Sequence, residues 1–198
     1  MKKCELKSCN TIILVFLIRY DPKFKVSAFC ERVHLYMIGA IKLVIMSDSH
    51  GDFRSVYEIV ERHINEKCIF IHLGDGAREV EDLRMLYTNI DLRSVSGNCD
   101  FYSMDPTEAE ICHDGKKVFF THGHTYGVKY SDRELKNAAR ARGASLVIHG
   151  HTHIPKEDYD DGLYVLCPGS VSRNRTGGSS YAVVEVGAAG VLTNIIKL

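Results

Sequence analysis

From Lys42 onward the chain alternates short β-branched apolar runs with amphipathic stretches, whereas residues 1–40 show neither period clearly. "IKLVIMS" (41–47) predicts a buried strand. "FRSVYEIVERHI" (53–64) places Phe53, Val56, Ile59, Val60, His63 and Ile64 on one helical face, and together they make one βα unit. "CIFIHLG" (68–74) predicts a second strand, "AREVEDLRMLY" (77–87) a second helix, and "LRSVSG" (92–97) a third strand. "KKVFFT" around 117–121 and "SLVIHG" (145–150) read as the fourth and fifth strands. Between them, "SDRELKNAARARG" offers a helix with Ser131 and Glu134 as an S-x-x-E capping box and Gly143 as the stop. Past residue 155 the texture becomes turn-rich: "GLYVLC" (162–167), "SYAVVEV" (180–186) and "GVLTNIIKL" (190–198) suit an antiparallel meander.

A chain of 198 residues can hold one ordinary domain with a sizeable core. The loss of pattern upstream puts the boundary near residue 40, with 1–40 an extension that need not be native or ordered and 41–198 the domain. Met37 is a candidate internal start, which the intact mass of the natively expressed protein would test. The apolar stretch from Ile12 to Ile18 is far short of the roughly 20 residues a bilayer span needs. "RYDPKFK" follows it where a signal peptide would carry a small-residue cleavage site.

The 25 basic and 25 acidic residues balance, so no global field draws the protein to nucleic acid or an anionic membrane, and an anionic substrate must be recognised locally. The seven cysteines are odd in number and show no C-x-x-C spacing, which speaks against a disulfide framework and a thiolate zinc site and fits a reducing, cytoplasmic setting.

Polar side chains of metal-binding type follow the predicted strands in register. Asp48 and His50 follow the first, Asp75 the second, Asn98 the third, His122 the fourth, and His151 with His153 the fifth. Strand carboxyl ends are where open α/β sheets place their ligand crevice. The spacing of two within each pair would let both side chains reach one ion from an extended segment. Read singly, Asp48 and His50 could be a helix cap and a turn residue, and the later pair a solvated loop; the common register favours a site. Imidazole, carboxylate and amide donors without thiolate suit Mn, Fe, Zn, Co or Ni. Seven donors exceed one tetrahedral ion, whereas two divalent ions bridged by Asp75 would use them all. Such a pair would activate a water between the ions for in-line attack at phosphorus.

The ordered blocks "DSH" (48–50), "GD" (74–75), "GNCD" (97–100), "HGH" (122–124) and "GHTH" (150–153) resemble the calcineurin-like metallophosphoesterase superfamily. Their short spacings, with "CPGSVS" (167–172) similar to an N-P-G-S turn, resemble the small YfcE-type phosphodiesterases. The resemblance runs from about Lys42 to the C-terminus. It implies an α/β fold of the four-layer αββα sandwich type, with βα units in its first half and an antiparallel meander at its C-terminus. It also implies two divalent ions, Mn foremost. Asp48, His50, Asp75 and His153 would bind one, and Asp75, Asn98, His122 and His151 the other. Asp75 and Asn98 would be the catalytic residues, with Asn98 a donor to a nonbridging phosphate oxygen.

This chain departs from the family at Cys99, where the most active phosphatases carry a histidine placed to protonate the leaving group. A thiol is a poorer donor at neutral pH, so diesters with good leaving groups are the expected substrates. His124, Cys99 and Asp100 would stand behind the ligands or against substrate. His72 and His149, inside strands, are expected as supporting histidines. His34, His63 and His113 are expected at the surface, and Arg173 and Arg175 as solvated residues of a Gly-rich turn. The function expected is a two-metal phosphodiesterase acting on a small substrate, with no membrane or nucleic-acid partner and its oligomeric state open. A phosphomonoesterase or nucleotide hydrolase on the same site is the first alternative. A non-catalytic interaction scaffold, as in retromer, is the second, and it would be expected to have lost ligands.

Overall fold

The structure, a computed structural model, describes residues 39–172 and 178–198. The extension 1–40 falls outside the described residues except for its last two positions, as do His34, Arg173 and Arg175.

Among the described residues, ten strands form two five-stranded sheets. The first carries β1 (Ile41–Met46), β2 (Cys68–His72), β3 (Asp91–Ser94), β9 (Ser180–Gly187) and β10 (Gly190–Lys197), in the order β10-β9-β1-β2-β3. Its β1, β2 and β3 run parallel, joined by helices α1 (Phe53–His63) and α2 (Ala77–Leu86), while β9 returns antiparallel to β1. The second sheet has the order β4-β5-β6-β8-β7, from β4 (Glu108–His113), β5 (Lys116–Thr121), β6 (Leu146–His149), β7 (Lys156–Asp160) and β8 (Leu163–Cys167).

Alternation of side chains along each strand decides the layering. Leu43, Ile45 and Ile71 of the first sheet meet Val118, Phe120, Leu146 and Ile148 of the second in a shared core, all fully buried. The opposite face of the first sheet, Val44, Met46 and Phe70, packs on Val56, Ile59 and Val60 of α1 and Leu83 of α2. Phe119, Val147 and Val165 of the second sheet take Leu135 and Ala139 of α3 (Arg133–Ala141). The described residues therefore form the expected αββα sandwich, and its central strands are apolar on both faces because both faces are covered.

Four details differ from the sequence reading. The C-terminal strands are not one meander: β8 lies parallel to β6 in the second sheet, and only β9 and β10 pair as a hairpin in the first. The strands β4 and β7 were not foreseen: "EAEICH" alternates over only two apolar positions, Ala109 and Ile111, and "KEDYD" has a lone Tyr159 among charged residues. Their turns were legible: Asp114-Gly115 (φ 47° and 74°) and Asp161-Gly162 (φ 44° and 82°) suit tight two-residue hairpins. The capping box does not form. The Ser131 N–H stays bonded to Gly127 O, the helix begins after Asp132, and Glu134 pairs with Arg133 instead. The helix does stop at Gly143 (φ 68°), where Gly143 N donates to Arg140 O and Ala144 N to Ala139 O, a Schellman closure. Finally, His63 is buried, its ring bridging Glu66 Oε2 (3.0 Å) and Tyr181 Oη (3.1 Å). His113 is partly exposed and bonds Gly39 O (2.7 Å).

Candidate active site

The loops after β1, β2, β3, β5 and β6 converge at one end of the sandwich and bring all seven predicted side chains together. The strands are not consecutive, since β4 intervenes. Nor do the pairs work by extended geometry. Asp48, His50, Asp75, His151 and His153 all have positive φ, between 45° and 66°. Each such non-glycine residue costs about 1–2 kcal/mol, and clustering of this kind is a property of functional sites. The left-handed turns are held by Asp48 N to Gly74 O and His50 N to Asp75 O, each 3.0 Å.

Asp48 is fully buried. Its Oδ2 accepts from Ser47 Oγ and from His151 N (3.1 Å), while Ser170 and Ser172 donate their hydroxyls to its carbonyl. The helix-cap role falls to Asp52, which accepts from Ser55 N. Asp48 Oδ1 meets no hydrogen-bond geometry, although it faces three imidazole nitrogens: His153 Nε2 at 3.1 Å, His50 Nε2 at 3.9 Å and His122 Nε2 at 4.0 Å. His50 Nε2 and His153 Nε2 in turn stand 3.3 Å apart. A buried anionic oxygen ringed by nitrogen donors is the arrangement a cation satisfies.

Beside it lies a second group. His122 Nδ1 donates to Leu73 O (2.8 Å), which leaves Nε2 as a lone pair facing Asn98 Oδ1 (3.1 Å), His151 Nδ1 (3.1 Å) and Asp75 Oδ2 (3.5 Å). Asp75 Oδ2 is also 3.8 Å from His50 Nε2, so it lies between the two groups, while Oδ1 accepts from Cys99 N (2.7 Å). Three overlapping sets, Asp48–His50–His153, Asp75–His122–His151 and His50–Asp75–Cys99, each keep one donor atom per residue within 4.8 Å of the others. His124 flanks the second group, its ring 5.3 Å from that of His122, and its buried Nδ1 has no hydrogen-bond partner.

Electrostatics favour the ligand forms of Asp75 and His151 but not of His122. Burial opposes ionisation of Asp75, but His122 and the Cys99 N–H outweigh it and hold the carboxyl well below the usual range. Burial, with His122 and Lys129 nearby, pushes His151 down to about 4. Burial also works against charge on His122, yet Asp75 and Asp48 raise it overall. Burial and Asp75 push the Cys99 thiol up, so it stays protonated at neutral pH.

Asp100, His72 and His149 do stand in supporting positions, but their particular partners are not encoded in the spacing. Asp100 accepts four backbone N–H groups, from Asp75 (2.7 Å), Gly76 (3.0 Å), Ala77 (2.9 Å) and Gly97 (2.8 Å), which locks the Asp75 loop and caps α2. His72 Nδ1 accepts from Gly74 N, so its Nε2–H points at Ser49 Oγ, which donates to Glu79. His149 is buried beside the site, its Nδ1 3.0 Å from Gly150 O. A Cβ on Gly97 would sit 2.2 Å from Asp75 Oδ1, and one on Gly150 2.0 Å from Ser47 Oγ, so the glycines of "GN" and "GH" are there for close approach.

A two-sheet sandwich with imidazole, carboxylate and amide groups gathered at its strand ends is suited to holding divalent metal ions. The model of the calcineurin-like phosphoesterase superfamily domain matches residues 41–189, and the chain belongs to that family. The probable metallophosphoesterase YsnB of Bacillus subtilis (strain 168) is 30% identical over 147 residues, covering 74% of this chain and 85% of that protein. Phosphodiesterase YfcE of Escherichia coli (strain K12) is 24% identical over 170 residues, covering 73% and 88%. Among solved structures, a Streptococcus pneumoniae TIGR4 protein described as a predicted phosphoesterase superposes with a TM-score of 0.70 at 28% identity, over 80% of this chain and 90% of that one. The chain is thus a phosphoester hydrolase of a family that works with divalent metal ions. No helix among the described residues is long and apolar enough to cross a membrane.

Proposed function

We propose that the protein hydrolyses small phosphodiesters with two divalent ions. Asp48, His50, Asp75 and His153 would hold one ion, and Asp75, Asn98, His122 and His151 the other. The observation that carries this reading is the position of Asp75 Oδ2, 3.8 Å from His50 Nε2 and 3.5 Å from His122 Nε2, between two donor groups that need a shared anionic ligand. When bound, the ions supply activation of a water and neutralisation of charge on the phosphoryl group. Mn is the first metal to test, with Fe, Zn, Co and Ni as alternatives of the same donor preference.

The chain's own groups do the rest. The Leu73 carbonyl fixes the His122 tautomer, and Asp100 holds the Asp75 loop at a set depth. Asn98 turns Oδ1 toward His122 and donates one Nδ2 N–H to Cys99 Sγ (3.3 Å), which leaves its other N–H for a nonbridging phosphate oxygen. The Cys99 thiol, pushed above its ordinary value, is a weak proton donor, so leaving groups that depart without protonation are favoured. This ranks diesters with acidic leaving groups above phosphomonoesters. The scaffold alternative has less support, because all seven donors are present and converge.

The test is turnover of bis(4-nitrophenyl) phosphate against 4-nitrophenyl phosphate after chelator treatment and reloading with each metal. Diester turnover restored by a divalent ion is expected. Monoester preference, or no turnover with any of the five metals, would contradict the proposal.

A further inference from the structure

A groove of about 760 Å³ opens directly from the cluster, with His50, Asp75 and Cys99 on its inner wall. Its rim is the segment 101–105, on which Phe101, Tyr102 and Met104 are 85, 98 and 99% exposed. Scattered exposed apolar residues are ordinary, but three within four positions beside a hydrolytic site call for an occupant. The segment is clamped at both ends. Asp100 is fixed by four backbone N–H groups, and Asp105 by Arg84 Nη2 (3.0 Å) and the Ser94 hydroxyl. The aromatic side chains are therefore presented by an anchored loop.

Charge narrows the occupant. Glu81 and Asp105 on the groove wall take up the one guanidinium of Arg84, which leaves the wall little positive charge for a polyanionic strand, whereas exposed Arg78, with no ion pair among the described residues, could meet a single polar or anionic group. The volume suits a nucleoside-sized group.

We infer that this groove seats a planar heteroaromatic ring on one arm of the substrate, stacked on Phe101 and Tyr102, so that the preferred esters are nucleotide-like. The inference rests on the proposed phosphodiesterase reading and specifies its substrate class. Stacking of a base on an aromatic side chain strengthens binding by roughly five- to a hundredfold, which sets the scale of the expected effect.

The experiment is calorimetric titration of the Mn-loaded full chain with adenosine 5′-monophosphate and with ribose 5-phosphate, which share the phosphate and sugar and differ in the base. It is repeated on Phe101→Ala/Tyr102→Ala, whose exposed positions leave the core intact. Wild type is expected to bind the nucleotide about tenfold or more tightly than the sugar phosphate, with the ratio falling near one in the double variant. Equal binding of both ligands, binding of neither, or a ratio that survives in the variant would overturn the inference and reassign the exposed side chains to a protein contact. The ratio is read without turnover. A protein that shows it yet hydrolyses no diester would contradict the proposed function while upholding the groove assignment, and a working diesterase without it would do the reverse.

Discussion

A single atom, Asp48 Oδ1, states the site's chemistry most plainly: it is buried, anionic, faces three imidazoles and has no hydrogen bond. Residue-scale predictions follow from contacts of this kind. Gly97→Ala would push a methyl group to 2.2 Å from Asp75 Oδ1, so Mn affinity should fall at least about tenfold, the scale seen when groups supporting metal ligands are disturbed. Calorimetry checks it, and unchanged affinity would mean that Asp75 is not a ligand. Cys99→His should raise turnover of monoesters with poor leaving groups, by about a hundredfold if the new imidazole acts as general acid. A flat response in an alkyl phosphate assay would remove Cys99 from the account of substrate class. The pH dependence has a definite sign. In the metal-free protein His122 is raised above its ordinary 6.5, so metal must displace a proton from it. Affinity should therefore weaken as pH falls through the raised range of His122, while His151, at about 4, and Asp75 contribute nothing there. Titrations at about pH 8 and about pH 6 would show it, and tighter binding at the lower pH would refute it.

Among the elements, the strands in the middle of each sheet and the edge strands β3 and β10 of the first sheet were legible, whereas the edge strands β4 and β7 of the second sheet were not. β1, β2, β5 and β6 announce themselves as apolar runs because both faces are covered. β4 and β7 pair along one side only; β4 turns just Ala109 and Ile111 to the core and β7 is charged apart from Tyr159, so Asp-Gly at their turns is the clearer signal. The convergence of the seven polar side chains was legible for a related reason: a polar residue just after an apolar strand lies at the sheet's end. The contacts behind them, such as Asp100 with four N–H groups and Ser49 between His72 and Glu79, depend on distances between loops that spacing does not encode. The Gly143 stop of α3 gives a clean test at this scale. A methyl group there meets no atom within 4 Å, so Gly143→Ala should cost only the left-handed backbone term, about 1–2 kcal/mol. Thermal denaturation should show a drop of a few degrees with unchanged metal binding, and a neutral outcome would mean the helix can end another way.

At the scale of the whole molecule, the two sheets act as a frame that carries loops from both to one end: Asp48, His50, Asp75 and Asn98 follow strands of the first sheet, and His122, His151 and His153 strands of the second. The site therefore exists only when both sheets are packed, and metal binding is linked to global stability. The most direct test of the account is the number of Mn ions bound per chain at equilibrium, in wild type and in Asp75→Asn. Two ions in wild type and no more than one in the variant are predicted, because the variant loses the shared anionic ligand. One ion per wild-type chain, or two in both proteins, would contradict the bridged pair on which the proposed chemistry stands.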